Sequence, residues 1–394
     1  MKLQFDPLAH KSSYQFFTNT KIKKDFMGEA PAPFIGRYGY PNVNVGILAP
    51  CEIYPNTWEY DAPRHWAAQN FDIPQIVNFR SSLINSQFKA HIRHDQNKWL
   101  SLVQEVGMAS KPVEMEINLK DTPRLRLFSD NYAAPTGPLG NLVNAKITQN
   151  PNISSKVDAI VSDTDLNAAP GLITLFEKGF DENFLSKLLS VGSLGLEKNR
   201  KLVPTRWSIT ATDSTLGGHL VKQIKDFQEM DNFQIYFDGY LGNYFLFLVF
   251  PDAWQYELFE TYVPKNPTLE LKYTTDYEPF QGRKIYAEQT AGGFYACRLA
   301  VLELLAKIKR QASVLVLRFI TDEYTAPLGV WVVREASRRA AQSKPLSFAS
   351  KELLLDYVCK FVHNKFGWLP NPLLQNSLLL KNFGKQTKLS NFFS

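Results

Sequence analysis

The sequence predicts a mixed α/β (α+β) fold, with a strand-containing N-terminal domain packed against a helix-rich C-terminal domain and followed by a flexible tail. Three observations carry this expectation. Residues 111–120 alternate Val113, Met115, Ile117 and Leu119 with polar side chains, the period of a half-buried strand. Residues 294–309 place Leu299, Leu302 and Leu305 along one helical face. The chain has 394 residues, 44% hydrophobic and 21% charged, enough for two domains with sizeable cores.

Residues 1–29 are polar and basic, with Lys21, Lys23 and Lys24 clustered, and read as a loosely ordered arm or short helix. The turn-rich segment 31–41 follows. Its Gly36 and Gly39 permit sharp turns or close approach to a ligand. Gly36 and Arg37 can offer an amide and a guanidinium to a phosphate; a purely structural turn is the other reading. Val43, Val45 and Ile47 alternate as a strand. Residues 74–107 carry a broken helical stripe through Ile76, Val77, Leu83, Ile84, Phe88 and Ile92, which predicts one long helix or two shorter ones. His91, His94 and Asp95 share this stretch, but no other cluster supplies further metal ligands, so they read as a solvated face.

Residues 131–140 form a Pro/Gly-rich loop. Asp163 or Asp165 is placed as the N-cap of a helix running to Lys178, and the pair is also a candidate for holding a divalent metal such as Mg²⁺ or Mn²⁺. A further helix covers 182–191. Residues 198–213 crowd Arg200, Lys201 and Arg206 around Trp207, with Asp213 at the end. Cations beside an aromatic ring suit a phosphate backbone and a stacked base. Asp213 would then serve as metal ligand or general base. The structural alternative is a strand that buries Trp207 and Ile209, with Asp213 capping a helix that starts near Ser214.

Two apolar runs, 235–237 and 244–250, flank Gly239 and Gly242 and predict a hairpin. Pro264 and Pro267 mark a linker, which sets domains at 30–265 and 266–372. Residues 269–273 read as a short strand. Gly292 and Gly293 lead into the helix at 294–309, where backbone amides can cradle a phosphate. Residues 314–320 are a buried strand. A helix over 329–341 lines up Arg334, Arg338 and Arg339 as a basic stripe for DNA or a solvated face. The last helix is at 351–362, and the folded body ends by Pro372.

The formal net charge of +6 and pI near 8.9 are compatible with nucleic acid without requiring it. Cys51, Cys297 and Cys359 are odd in number and widely spaced, which argues for buried thiols in a reducing cytoplasm. Residues 1–8 lack the apolar core of a signal peptide, and the run 244–250 is too short to span a bilayer. No membrane partner is expected.

The tail, 373–394, carries Gln386, Leu389, Phe392 and Phe393 at the spacing Gln-x-x-Leu-x-x-Phe-Phe. In one 3₁₀ turn Leu389 and Phe392 eclipse and Phe393 sits beside them, making a three-pronged apolar plug of the sort that enters a groove. It resembles a PIP box, the peptide that docks on the sliding clamp PCNA.

The segment RKLVPTRWSITATD resembles the signature of the archaeal Nre family of DNA-repair proteins. So do PAPFIGRYGYPNVNVG, SDTDLNAAPGLITLFEKGF, YLGNYF, AGGFYACRLAVLELL and GVWVVREASR, in the family's order. The resemblance implies a role in DNA repair, a nucleoid-associated location, and partners that include DNA, the clamp and other repair factors. Its NreA branch ends in a clamp-binding peptide. Many members begin with a cysteine-rich, zinc-finger-like segment. This chain has no cysteine before Cys51, so no zinc is carried over. Three functions are open at this stage: a clamp-recruited DNA-processing enzyme, a non-catalytic DNA-binding adaptor, and a nucleotide-acting enzyme supported only by the glycine turns.

Overall fold

The computed structural model describes residues 22–93, 97–123, 132–263 and 272–384. The Gln386–Phe393 motif, His94, Asp95 and the linker around Pro264 lie outside the described residues. By internal contacts the chain forms two compact units, divided within one helix at Leu216/Gly217; residues 326–331 belong with the first.

The first unit holds a six-stranded sheet of β1 (Asp25–Ala30), β2 (Ala32–Ile35), β3 (Asn42–Ala49), β4 (Ile84–His91), β5 (Val113–Leu119) and β6 (Leu139–Ile147). The order is β1-β5-β6-β4-β3-β2, and only the β4–β6 pair is parallel among its neighbours. Its helices are α1 (Pro63–Ala68), α2 (Ile73–Ser81), α3 (Lys98–Met108), α4 (Ser155–Ser162), α5 (Ala168–Glu177), α6 (Glu182–Ser190) and the start of α7 (Thr205–Ile224). One core joins Val43, Val45 and Ile47 of β3, Met115 and Ile117 of β5, and Val103 and Val106 of α3.

Several expectations are corrected here. Residues 25–29, expected in the arm, begin β1, which pairs with β5. The helical stretch 74–107 is interrupted by β4: Phe88 and Ala90 face the core and Lys89 faces out, the period of a strand. Asp163 is the C-cap of α4, and α5 is capped at Asn167, so neither aspartate begins a helix. The strand alternative at 207–209 is wrong. Residues 205–224 form one helix, with Ser208, Thr212, Asp213, Leu216, Leu220 and Ile224 buried at helical spacing. That stripe begins with polar residues, which hid its period.

The second unit holds β7 (Phe233–Tyr240), β8 (Asn243–Phe250), β9 (Gln255–Tyr262), β10 (Tyr273–Glu278), β11 (Ser313–Ile320) and β12 (Leu346–Phe348) in the order β10-β9-β11-β8-β7-β12. β9 and β11 run parallel, joined through α8 (Ala291–Ile308). Every residue of β11 is buried, as befits a strand covered on both faces. Leu246, Leu248, Phe259, Leu315 and Leu317 pack with Leu354, Val358 and Val362 of α10 (Lys351–Phe366). Helix α9 (Trp331–Gln342) precedes β12.

The body does not end at Pro372. Pro372 lies inside α11 (Asn371–Asn376), which is followed by α12 (Leu378–Asn382); their Leu373 and Leu379 are fully buried in the same core. The tail expected from Leu373 is therefore folded at least to Phe383, whose ring meets Phe250 at 5.4 Å. The mixed α/β class is borne out. Among the described residues no helix is long and apolar enough to cross a membrane.

Candidate nucleic-acid interface

In the first unit, two segments far apart in sequence meet at one surface. Strands β2 and β3 form a hairpin closed by Gly36 N–H donating to Asn44 O at 2.8 Å. Its tip carries Arg37, Tyr38 and Tyr40. Gly39 turns the chain at φ +83°, and a Cβ there would lie 2.7 Å from the Asn42 carbonyl, so the tip requires glycine. The other segment is 201–207. Leu202 N–H donates to Ile92 O and Val203 N–H to Ser190 O, each at 2.9 Å, which pins the strand-like approach to α7. Pro204 then opens the helix, accepting from Trp207 N–H at 2.7 Å.

The two are tied together where they meet. Ile35 N–H donates to Thr205 Oγ1 at 2.9 Å. The Tyr40 and Trp207 rings lie 5.3 Å apart, tilted by 58°. Both rings are 44% exposed, and Tyr38 is 75% exposed. The Arg37 guanidinium lies 4.7 Å from the Tyr38 ring centre, and Arg206 stacks 3.6 Å over Tyr132. Tyr132 is held in turn by Val330 N–H, which donates to its carbonyl at 3.0 Å. Lys201 is exposed beside them in sequence. The Arg37 guanidinium also donates to the Tyr38 hydroxyl at 3.1 Å, and Arg37 and Arg206 are both half-buried.

Of the residues expected to touch DNA, Arg37, Lys201, Arg206 and Trp207 thus lie on the hairpin tip and the start of α7. Arg200 does not join them in role: its guanidinium donates to the carbonyls of Gly195, Val161 and Asp163 and closes the end of α4. Of the basic stripe expected on α9, Arg339 is half-buried 4.0 Å over the Tyr240 ring, and the other two arginines turn inward. Arg334 is 1% exposed, and Arg338 pairs with Glu303 at 2.8 Å and Glu335 at 2.6 Å. Tyr38, Tyr40 and Tyr132 were missed by the sequence reading. Tyrosines alternating with glycine in a turn were the available signal for the first two.

The three candidate carboxylates do not converge on a metal. Asp213 is fully buried in α7, whereas Asp163 and Asp165 are exposed, with Asp163 Oδ1 accepting from Asp165 N–H at 3.0 Å. Among the described residues no group of three or more His, Cys, Asp or Glu side chains is placed to hold a metal ion.

The phosphate cradle expected at Gly292 is filled from within. Asp276 accepts from the amides of Gln289 and Thr290 at 2.9 and 2.7 Å, and from the Thr290 hydroxyl, so a carboxylate of the chain itself neutralises the start of α8. Gly293 lies inside the helix, where a Cβ would come within 2.4 Å of Glu260 Oε1. Glu260 pairs with Arg318, which also donates to Asn243 Oδ1. Burial pushes Glu260 upward against the pull of that arginine. These glycines serve close packing around a buried ion pair.

The archaeal Nre N-terminal family matches residues 2–267 and the archaeal Nre C-terminal family residues 278–392. The chain belongs to the archaeal Nre family. It is 35% identical over 349 residues to the DNA repair protein NreA of Haloferax volcanii, covering 86% of this chain and 83% of that one. It is 34% identical over 376 residues to the DNA repair protein NreB of Archaeoglobus fulgidus, covering 94% and 93%. The NreA of Archaeoglobus fulgidus is 34% identical over 364 residues, covering 91% and 90%. No solved structure matches the chain.

Proposed function

We propose that this chain is a DNA-repair protein that meets DNA through the hairpin tip and the start of α7, and that PCNA recruits it through Gln386, Leu389, Phe392 and Phe393. Relatives matching over most of their length bear the name DNA repair protein, which supports the repair role. The single observation that carries the DNA contact is the meeting of exposed Tyr40 and Trp207, with Arg37 in the same hairpin tip and Arg206 next to Trp207 on α7. Residues 31–49 and 198–210 together hold Arg37, Lys198, Arg200, Lys201 and Arg206 and no Asp or Glu, so the field there favours a polyanion. Modest affinity of the body is sufficient, because a clamp tether raises the effective concentration on DNA.

Fluorescence anisotropy of labelled DNA with the full chain tests this. Affinity is expected to fall steeply with salt, and replacing Lys201 and Arg206 by Ala is expected to weaken binding and flatten the salt slope by about 1–2 units. Binding that ignores salt, or that the double variant leaves intact, contradicts the assignment.

A further inference from the structure

On the reading that this surface meets DNA, we infer that Tyr40 and Trp207 form a stacking platform for unpaired bases, so that the ligand is single-stranded or locally opened DNA. Cations alone suffice to follow a duplex backbone, since its bases are already stacked inside and present no free face. Here the cations are interleaved with exposed rings. Trp207 and Tyr40 each keep 44% of their surface exposed although they touch one another, and Tyr38 keeps 75%. Large rings left open in this way offer π-faces that any base can cover, whatever its identity.

The platform is formed before ligand arrives. Trp207 stands on the first turn of a 20-residue helix, whose positive end adds to the local attraction for phosphate. Tyr40 is fixed by a turn in which Asn42 N–H donates to Gly39 O at 2.9 Å, and the Ile35–Thr205 bond holds hairpin and helix together. A preformed site loses little freedom on binding. The cations nearest to the pair in the chain are Arg37, 4.7 Å from the Tyr38 ring centre, and Arg206, 3.6 Å from that of Tyr132. Cations adjacent to exposed rings suit a ligand that is held by backbone and base together.

The test uses the full chain with three labelled DNAs of one sequence: a single strand, the matching duplex, and the duplex with a short unpaired gap. A second single strand carries 2-aminopurine, whose emission drops when it stacks. The single strand and the gapped duplex are expected to bind at least about tenfold more tightly than the intact duplex, with 2-aminopurine quenched. Trp207→Ala is expected to lose about tenfold on the single strand and to abolish the quenching, while Trp207→Phe retains most of both. Circular dichroism melting confirms that each variant folds. Equal affinity for all three DNAs, with Trp207→Ala unchanged, overturns the stacking platform but leaves a DNA contact standing. No binding to any of the three overturns the DNA contact itself, and the platform with it.

Discussion

The buried carboxylate of Glu257, on β9, accepts the hydroxyl proton of Ser377 at 2.5 Å across 120 residues of sequence. The amides of Leu378 and Leu379 donate to the same carboxylate at 3.0 Å each, so one side chain of the sheet caps α12. This anchors the chain up to Phe383, and Gln386 follows only two residues after Gly384.

That cap predicts a pH dependence. Burial pushes Glu257 above its ordinary value of 4.5, against Ser377, the Leu379 and Leu378 amides and Lys381, which pull it down. The folded chain therefore holds this proton where the unfolded chain has released it. Its contribution to stability is full below about pH 4.5 and declines as pH rises through the folded value. Urea unfolding from pH 4 to 7 should show this component in the wild type and lose it in Glu257→Gln. Glu257→Ala, which strands the α12 amides, should cost about 1–3 kcal/mol at any of these pH values.

Arg338 separates packing from DNA contact. Its guanidinium bridges Glu303 and Glu335 and is 11% exposed. Arg338→Ala should destabilise the protein by about 1–3 kcal/mol, because two carboxylates lose a charged donor. DNA affinity at a temperature where the variant is folded should equal that of the wild type. A tenfold loss of affinity would restore the basic stripe on α9.

Gly39 links local backbone to the interface. Its φ of +83° and the 2.7 Å approach to Asn42 O leave no room for a side chain. Gly39→Ala should cost about 1–2 kcal/mol and weaken DNA binding by displacing Tyr40 from Trp207. Thermal melting and anisotropy measure the two effects separately.

Replacing Phe392 and Phe393 by Ala should abolish binding to PCNA in calorimetry and leave the melting temperature unchanged. An unaltered heat of binding would remove the clamp assignment, while the DNA surface would stand on its own measurements.

The sequence disclosed the fold where side-chain period was clean. The alternation in β3 and β5 and the all-apolar β11 read directly as strands, and α8 as a helix. It failed where tertiary contacts decide. The β4 segment mixes Ser86, Gln87 and Lys89 with apolar residues, and only pairing to β3 and β6 fixes it as a strand. The buried stripe of α7 begins with Ser208, Thr212 and Asp213, which look solvent-facing in a linear reading. At the candidate surface, Lys201, Arg206 and Trp207 stand out in the sequence because they cluster within a few residues. Their meeting with Tyr40 and Tyr132 was not legible, since it depends on a hairpin tip and a loop that sequence separation conceals. The inward partners of Arg200 and Arg338 and the burial of Arg334 were not legible, because charge in a sequence does not reveal whether a partner waits inside.

Photo-crosslinking locates a DNA contact directly. The full chain, saturated with an oligonucleotide carrying 5-bromodeoxyuridine, is irradiated and digested, and the adducts are mapped by mass spectrometry. Adducts on Tyr38, Tyr40 or Trp207 are the predicted result. Adducts confined to residues 331–342, with residues 36–41 and 201–207 unmodified, would contradict it.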